Sequence, residues 1–496
     1  DTRASFPGNQ KRRSFLFLPQ LHKRKKKRMK KLLVVLCLCL GLVPVCAQQT
    51  LPNPRAWLRS GPMLGYSELT ETVIWLQTTQ PARAQIRFWK QGQPASARMS
   101  SEVETSAATD HIARFVISQL EFGTKYDYEV YLDGLRVDLP YRTTFQTQKM
   151  WKWRNDPPAI RIAMGSCAYI NDPPYDRPGQ EYGRKVQIFT SMAALEPDAM
   201  LWLGDNIYYR EADCVTESAM RYRNAHTRAT AEMQPLLAST HNYAVWDDHD
   251  YGSNDADRSF RGKDISLRVF KDYWANQAYG TPETPGVFSR FELSDVEFFF
   301  LDDRYHRAPN LLPDGPDRVM FGDAQMKWLM DSLASSEATF KVIVGGNQMM
   351  NIPTQFESFS KYPREMNQLF DFLRTAKIKG VLFISGDRHH TELIKRTEPG
   401  LYPLYDLTAS PLTSGSGPHP GEENNPLRVP GTWVTEQQNF SLMEVAGKKD
   451  ERVITLRTLD TEGKELWKYT VSASELVFPP DPPPVSKKVN SKKITN

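Results

Sequence analysis

The stretch 246–255, which reads WDDHDYGSND, holds four aspartates, one histidine, one asparagine and one serine in ten positions. Carboxylates held so close together repel one another, and this repulsion raises their pKa values unless cations neutralise the cluster. Asp, Asn and His side chains are common ligands of metal ions. The stretch therefore predicts either a metal site or a solvent-exposed acidic loop, and the surrounding sequence has to decide between them.

Three other short clusters carry side chains of the same kind: GSC at 165–167, GDNIY at 204–208 and GDRHH at 386–390. Like DDHD at 247–250, each follows an apolar run. A glycine before the aspartate permits a sharp exit from a strand and a close approach of the backbone to a ligand. Together the four clusters offer a thiolate, several carboxylates, a phenolate and imidazoles, which is the chemistry of a metal centre.

Residues 159–475 alternate apolar runs of four to seven residues with longer amphipathic segments, such as 183–195, 219–237 and 323–336. This alternation of strand and helix predicts an α/β domain. Six of the apolar runs end in polar or ligand-type residues. Because sites in open α/β sheets assemble beyond the carboxyl ends of the strands, we expect these six strand ends to converge on one place.

Residues 52–148 show short alternating runs separated by Gly, Pro and polar turns, which predict a small β-sandwich. The phrase LEFGTKYDYEVYLDG at 120–134 resembles the late strands of fibronectin type III-like domains. Residues 148–158 read as a linker, and the runs after Pro430 read as antiparallel strands that finish a sheet. The tail 479–496 is rich in Pro and Lys and poor in apolar residues, so we predict that it is disordered.

Charge is concentrated at the start of the chain. Residues 1–31 contain twelve Lys/Arg and one acid, and removing their net +11 from the chain's +5 leaves the remainder at −6. A mildly acidic body argues against general nucleic-acid binding, so we expect no nucleic-acid partner.

Residues 29–47 have the pattern of a signal peptide: Met29, two lysines, twelve apolar residues and a small-residue cleavage site before Gln48. Residues 1–28 would then be a misassigned upstream extension. Twelve apolar residues are too few to cross a bilayer core of about 30 Å, so no transmembrane segment is expected in the mature chain. The prediction is export to the periplasm or the exterior, with acylation at Cys46 as an alternative.

The mature chain would keep two cysteines, Cys167 and Cys214. Two cysteines do not make a disulfide scaffold, although in an oxidising compartment they could pair with each other. Cys167 could also be a small buried hydrophobe, and Tyr208 a core aromatic. For both residues these alternatives remain open beside a role as metal ligand.

The order GSC, GDNIY, WDDHD, GDRHH closely resembles the PhoD-like alkaline phosphatase family of the metallophosphatase superfamily, over about residues 52–475. The resemblance implies an α/β fold in which two sheets form an α/β/β/α sandwich, preceded by a fibronectin III-like β-sandwich domain. It also implies an exported phosphoesterase with a multimetal centre, iron (Fe3+) with calcium (Ca2+).

The resemblance also implies roles for single residues. Asp205 resembles the carboxylate that bridges two metals, Asp248 a ligand of the second metal, and His249 the group beside the phosphate that protonates the leaving oxygen. The other implied metal ligands are Cys167, Tyr208, Asp387 and His389, and the implied substrate contacts are Asn254, Arg304 and Gln348. Anionic phenolate and thiolate ligands suit a ferric ion. His390 and Asp250 are expected to orient ligands, and Asp302 and Asp303 could simply anchor Arg304.

The predicted function is hydrolysis of phosphomonoesters or phosphodiesters by direct in-line attack of metal-activated water. A phospholipase D-like or cell-surface polymer diesterase is the alternative within the same chemistry, and a non-catalytic exported metal-binding protein is the alternative outside it. The sequence lacks the GxSxG, P-loop and HExxH motifs, which disfavours serine hydrolases, nucleotide-driven motors and zincin proteases. The physiological ester and the oligomeric state are not predicted.

Overall fold

The computed structural model describes residues 53–352 and 356–478. The predicted upstream extension, the signal peptide with Cys46 and the polar tail lie outside the described residues.

The N-terminal segment forms strands wherever the sequence has short apolar runs between turns. Its strands are β1 (Leu58–Ser67), β2 (Thr72–Thr78), β3 (Arg83–Lys90), β4 (Arg98–Met99), β5 (Val103–Glu104), β6 (Ile112–Ile117), β7 (Lys125–Leu132), β8 (Leu135–Arg136) and β9 (Thr144–Gln146). In β7 the side chains alternate between buried and half-buried positions, as a strand with one face against a core requires.

From residue 160 onward strands and helices alternate, as the sequence predicts. The strands are β10 (Ile160–Gly165), β11 (Ala199–Leu203), β12 (His241–Val245), β13 (Ser289–Leu293), β14 (Val296–Phe300), β15 (Phe340–Val344), β16 (Val381–Ser385), β17 (Glu392–Arg396), β18 (Leu404–Thr408), β19 (Asn439–Ala446), β20 (Val453–Asp460) and β21 (Glu465–Ser472). The helices are α1 (Ile188–Ala194), α2 (Glu217–Arg228), α3 (Gln234–Ser239), α4 (Asp248–Tyr251), α5 (Lys263–Tyr273), α6 (Asp323–Ser335) and α7 (Pro363–Thr375).

Two sheets carry the α/β part of the molecule. The first has nine strands in the order β21-β20-β19-β10-β11-β12-β1-β2-β6, and the second has six in the order β13-β14-β15-β16-β18-β17. Within them, β10, β11 and β12 run parallel, and so do β14, β15, β16 and β18. The central strands β11, β12, β14, β15 and β16 are buried along their whole length. Most of their residues are apolar, as strands covered on both faces require, and the buried polar exceptions include His241, Asn242, Glu297 and Lys341. The predicted mixed α/β fold with two main sheets is confirmed.

The N-terminal β-sandwich is built differently from an independent domain. One of its two layers, β1-β2-β6, continues the nine-stranded sheet, because β1 pairs in parallel with β12 at Leu64 and His241. The other layer contains β4-β3-β7-β8, with β5 on β3 and β9 on β7. Gly65 lets β1 approach the α/β part closely, since a Cβ there would lie 2.3 Å from the carbonyl oxygen of Ala275. The predicted linker at 148–158 thus separates two parts of the sequence, but strands from both parts pair within one sheet.

Helix α7 shows how the helices cover the sheets. Pro363 lies in its first turn, where a missing N–H costs nothing. Met366, Leu369, Phe370 and Leu373 are buried at spacings of three and four residues. Among the described residues, no helix combines the length and the apolar character needed to cross a membrane.

Candidate metal centre

The polar residues that follow six strands meet at the carboxyl ends of the two sheets. The first sheet contributes the segments after β10, β11 and β12, and the second contributes those after β14, β15 and β16. The residues concerned are Cys167, Asp205, Tyr208, Asp247, Asp248, His249, Asp303, Arg304, Asn347, Gln348, Asp387 and His389. The contacts among them, given below, confirm that segments hundreds of residues apart converge.

Glycines allow the two sheets to approach at this place. A Cβ on Gly346, after β15, would lie 2.7 Å from Cγ of Asp247, after β12. A Cβ on Gly386 would lie 2.6 Å from the carbonyl oxygen of Leu203. Side chains at these positions would push the sheets apart, so the glycines set the width of the site.

Four of the predicted ligands have a left-handed backbone: Cys167 (φ 61°), Asp205 (φ 50°), Asp387 (φ 67°) and His389 (φ 52°). This conformation is uncommon for residues other than glycine and costs about 1–3 kcal/mol each. It turns the chain sharply at the end of each strand. Other non-glycine residues also have a positive φ, such as Asp110 and Lys377, so at the four ligands the conformation explains the sharp exit from the strand and does not by itself mark a site.

The first donor group contains Cys167, Asp205, Tyr208 and His389. The Tyr208 hydroxyl donates to Oδ2 of Asp205 at 3.0 Å and lies 3.1 Å from Nε2 of His389. The Cys167 thiol lies 3.6 Å from the same Oδ2. Within this group, potential ligand atoms of Cys167, Asp205 and His389 lie within 4.8 Å of one another. A sulfur, a carboxylate oxygen, a phenol oxygen and an imidazole nitrogen thus surround one small volume.

Cys167 is a free thiol, as is Cys214, so the disulfide alternative is not what the structure shows. Cys167 is fully buried, and burial raises the pKa of its thiol to about 12. Its contacts are polar, since Ser166 and Ser410 lie at 3.3 Å and 3.1 Å from Sγ. The side chain also packs with Tyr169 and Tyr208, so the alternative of a small buried hydrophobe stands beside the ligand prediction.

The second donor group contains Asp205, Asp248 and His249, whose ligand atoms also lie within 4.8 Å of one another. The N–H of His249 donates to Oδ1 of Asp248 at 2.9 Å, and the N–H of Asp255 donates to Oδ2 at 2.7 Å. The Nδ1 atom of His249 is buried without a hydrogen-bond partner. A buried imidazole nitrogen left unpaired is costly unless a ligand completes it.

In the metal-free site, the surroundings disfavour the ionised forms of three predicted ligands. Burial and the charge of Asp248 raise the pKa of Asp205 well above its usual range. Burial also raises the pKa of Asp387 to about 7 and lowers the pKa of His389 to about 3. Without a cation these carboxylates resist ionisation and His389 stays neutral, so the site presents a strong preference for positive charge. The donor set therefore fits the metal centre that the sequence predicts.

Asp247 and Arg304 form a buried support beneath the site. Arg304 is 0% exposed and donates from Nε to Oδ1 of Asp247 at 2.6 Å. Its guanidinium also pairs with Glu357 at 2.7 Å and with Asp303 at 3.8 Å. Asn347 donates to both carboxylate oxygens of Asp247. Arg304 thus supplies the counter-charge for buried acids, and its predicted contact with phosphate stays a prediction.

The other two predicted substrate contacts lie in different surroundings. Gln348 is buried and donates to Glu392 at 2.9 Å and to Thr408 at 3.0 Å, so its amide is already engaged. Asn254 is exposed, next to Asp255 and close in sequence to the second donor group. Contact of either residue with a substrate stays a prediction, and for Gln348 it would require the loss of present hydrogen bonds.

Asp250 and Asp302 hydrogen-bond to groups of the segments that flank the donor groups, and the orienting role expected of Asp250 and the anchoring role considered for Asp302 stay predictions. Asp250 accepts from the N–H groups of Asn206 at 3.1 Å and Asp247 at 3.1 Å, which ties the first sheet's two loops together. Asp302 accepts from the N–H of Arg304 at 2.9 Å and from Trp246 Nε1 at 2.9 Å. These hydrogen bonds fix the residues that flank the donor groups.

Sequence reasoning missed three residues of the site. Asp255 and Glu357 join Asp248 in a third group of carboxylates with oxygen atoms within 4.8 Å of one another. The Tyr182 hydroxyl lies 3.2 Å from Nδ1 of His389. Asp255 is part of the acidic stretch itself and could have been singled out. Glu357 and Tyr182 lie in irregular segments whose sequences carry no signal.

The buried carboxylates predict how stability depends on pH in the metal-free protein. The pKa of Asp387 is about 7 when folded and about 4 in an unfolded chain, so the folded state binds more protons between these values. Its contribution is therefore present at low pH and is lost as pH rises through about 7. We expect the melting temperature of chelator-treated protein to fall between pH 5 and pH 8.

Two controls make that prediction specific. Saturation with metal should flatten the slope, because cations neutralise the carboxylates. Asp387→Asn should reduce the slope in the metal-free protein. Equal melting temperatures of the metal-free protein at pH 5 and pH 8 would contradict the electrostatic account of the site.

Residues 163–446 match the family described as PhoD-like phosphatase, and this span is more than half of the chain. The chain belongs to the PhoD-like phosphatase family. Membership confirms the resemblance carried by the four motifs. Residues 55–150 match a second family, described as a domain of unknown function (DUF7800). The fibronectin III-like character of this N-terminal segment stays a prediction.

Among similar proteins, alkaline phosphatase D of Bacillus subtilis (strain 168) is 24% identical over 318 residues. The match covers 53% of this PhoD-like chain and 53% of that protein, so the chain spans about half the length of this relative. A solved structure of PhoD superposes with a TM-score of 0.69 at 16% identity, covering 86% of this chain and 93% of that one.

A purple acid phosphatase from yellow lupin (Lupinus luteus) seeds superposes with a TM-score of 0.58 at 11% identity, covering 85% of this chain and 75% of that one. At such identities, this likeness and that to PhoD concern the fold alone.

Proposed function

We propose that this chain is an exported, metal-dependent phosphoesterase of the alkaline phosphatase D type, acting on phosphomonoesters, phosphodiesters or both. The observation that carries the proposal is the first donor group, where Cys167, Asp205, Tyr208 and His389 meet at the carboxyl ends of two sheets. The family match and the relative named alkaline phosphatase D support it.

The donor groups divide into two kinds of metal position. The first group, with a thiol and a phenol, suits Fe3+, because these groups bind as anions and anionic ligands stabilise its high charge. Asp248 and Asp255 offer oxygen ligands only, which suits Ca2+. In this proposal Asp205 is shared between the positions, and Asp387 completes the set. Bound metal ions would supply Lewis-acid chemistry, polarising a phosphoryl oxygen and lowering the pKa of water.

The protein's own residues would orient the ester and manage protons. His249 lies at the edge of the donor groups, with its ring 4.2 Å from the ring of Tyr208. Burial lowers the pKa of His249, while the charge of Asp248 raises it. The overall shift of this pKa is downward, and the negative charge of a bound phosphate would act in the opposite direction and favour the imidazolium. We infer that His249 holds a proton at the leaving oxygen and transfers it as the ester bond breaks.

Removal of His249 tests this assignment. We expect His249→Ala to lower kcat for an alkyl phosphate, whose alkoxide leaving group needs a proton, by about 100- to 10,000-fold, the usual range for a lost general acid. The loss should be smaller for an ester whose leaving group is a weak base, because such a group departs without a proton. His306→Ala is the matched control, since Nε2 of His306 hydrogen-bonds to the carbonyl oxygen of Pro285 and His306 belongs to none of the donor groups found among the described residues. Equal rates for the His249→Ala and unmodified proteins would remove His249 from the mechanism.

The substrate class can be read from two esters assayed in parallel. An aryl phosphate reports monoesterase activity and a bis-aryl phosphate reports diesterase activity. Hydrolysis of the diester alone would favour the phospholipase D-like or cell-surface polymer alternative. No hydrolysis of either by metal-loaded protein would favour the non-catalytic metal-binding alternative. Chelator treatment should abolish whichever activity is present.

The iron assignment predicts an absorption signature. A ferric ion bound by thiolate and phenolate should give a visible charge-transfer band. We expect Cys167→Ser and Tyr208→Phe each to shift or weaken this band, because each removes one anionic donor. Cys214→Ser is the matched control, since Cys214 is a free thiol that belongs to none of the donor groups found among the described residues. An unchanged spectrum in both site variants would refute the iron position.

Export rests on residues 29–47 of the sequence. N-terminal sequencing of protein secreted by cells that carry the full gene would test it, and the expected first residue is Gln48. A mature N-terminus at an acylated Cys46 would select the lipoprotein alternative.

A further inference from the structure

A second cluster of ligand-type side chains lies behind the turn that carries His389. It is formed by His390, His419 and Glu422, whose potential ligand atoms lie within 4.8 Å of one another. His390 follows β16, whereas His419 and Glu422 belong to the long segment between β18 and β19. None of these three residues belongs to the donor groups described above.

Two atoms inside the cluster lack hydrogen-bond partners. His390 is 0% exposed, and its Nδ1 atom has no hydrogen bond. Oε2 of Glu422 is also buried and without a hydrogen bond, and it lies 3.7 Å from that Nδ1. Ligand atoms of a tetrahedral zinc ion lie about 3.3 Å apart when each bond is about 2.0–2.1 Å. The two atoms are thus already near the spacing that one shared ion requires.

The outer atoms of the same side chains are held in the way that metal ligands usually are. Nε2 of His390 lies 3.3 Å from Oε1 of Glu392, and Nε2 of His419 lies 3.2 Å from the carbonyl oxygen of His389. Arg388 pairs with Oε1 of Glu422. Ligating imidazoles typically donate their second N–H to a carboxylate or a backbone carbonyl, which directs the first nitrogen at the metal.

Solvent can reach the cluster from one side. His419 is half-buried, and its ring lies 4.7 Å from the ring of His390 at 70°. Two imidazoles and one carboxylate make a three-ligand set that leaves a fourth position for water, which is a common arrangement for zinc. The alternative is a polar network without metal, in which His390 lies between Glu392 and Glu422.

We propose that His390, His419 and Glu422 bind one divalent transition-metal ion, Zn2+ by preference, at a site separate from the catalytic centre. The ion would fasten the segment around residues 419–422 to the turn that presents Asp387 and His389. Its role is therefore to position His389 through the backbone.

Metal counting in a suitable background tests the proposal independently of the proposed function. In an Asp205→Asn protein, which weakens the first centre, we expect one equivalent of zinc after equilibration with free Zn2+ and removal of the excess. Adding His419→Ala or Glu422→Gln should lower the content to below about 0.2 equivalents, whereas adding His306→Ala should leave it unchanged. Glu422→Gln keeps the side-chain shape but removes the counter-charge of the buried Arg388, whereas His419→Ala leaves that ion pair intact. Loss of zinc in both variants would therefore not be explained by the broken ion pair.

Cobalt substitution gives a second readout that does not depend on activity. Co2+ in the Asp205→Asn protein should give the visible bands of a four-coordinate ion, and His419→Ala should abolish them. Zinc should also raise the melting temperature of the Asp205→Asn protein but not that of the Asp205→Asn, Glu422→Gln protein. Zinc contents that are equal with and without Glu422→Gln, or no zinc in the Asp205→Asn protein, would overturn the proposal and leave a polar network only.

Discussion

Asp205→Asn should hydrolyse an aryl phosphate more than about 100-fold more slowly than the unmodified protein, and its metal-free form should be more stable. Activity should fall because Asp205 is common to two donor groups, and loss of even an outer-shell partner typically costs about 10- to 100-fold in metal affinity or activity. Stability should rise because burial and neighbouring carboxylates raise the pKa of Asp205, and the neutral amide escapes that cost.

This test is stringent because activity and metal-free stability are expected to change in opposite directions. Rates would be measured with saturating metal, and melting temperatures with chelator at pH 8. Asp198→Asn is the matched control, because Asp198 immediately precedes β11 and so lies at the opposite end of the same strand. That change should leave activity intact. An Asp205→Asn protein that keeps full activity would show that the shared carboxylate is not needed for hydrolysis. A metal-free Asp205→Asn protein that is less stable than the unmodified one would show that charge repulsion is not the main effect of Asp205 on stability.

Arg304→Met should destabilise the protein by about 3–5 kcal/mol, the usual cost of removing one partner from a buried ion pair. Arg304 is 0% exposed and contacts Asp247, Asp303 and Glu357. Its loss leaves these carboxylates buried and uncompensated beneath the donor groups. Chemical denaturation of the metal-loaded protein would measure the change in the free energy of unfolding.

Two further variants test whether the unpaired buried carboxylates cause the loss of stability. Arg304→Met combined with Asp247→Asn should recover part of the loss, because one unpaired charge disappears. Lys327→Met breaks an exposed pair with Asp331 and should cost less than about 1 kcal/mol. If Arg304→Met instead leaves stability unchanged and raises KM, Arg304 contacts the phosphate, as the family resemblance implies, and the structural role is wrong.

The sequence by itself determined the α/β pattern and the kind of chemistry. Apolar runs of four to seven residues that alternate with amphipathic segments predicted buried strands between helices, and β11 and β16 are such strands, buried along their whole length. Parallel strands end at the same edge, so the ligand-type residues after them could be expected to meet. The motifs also pointed to the PhoD-like family, which the match over 163–446 confirms.

Only the tertiary structure decided which strands became neighbours. The pairing of β1 with β12 joins the N-terminal segment to the nine-stranded sheet, and no local pattern encodes a partner that is 177 residues away, as His241 is from Leu64. The same holds for Arg304, which turns inward to Asp247, and for Glu357 beside Asp248. Local sequence propensity indicates whether a segment forms a strand. The position of a buried charged side chain instead depends on groups that are distant in the sequence but lie in the same low-dielectric surroundings.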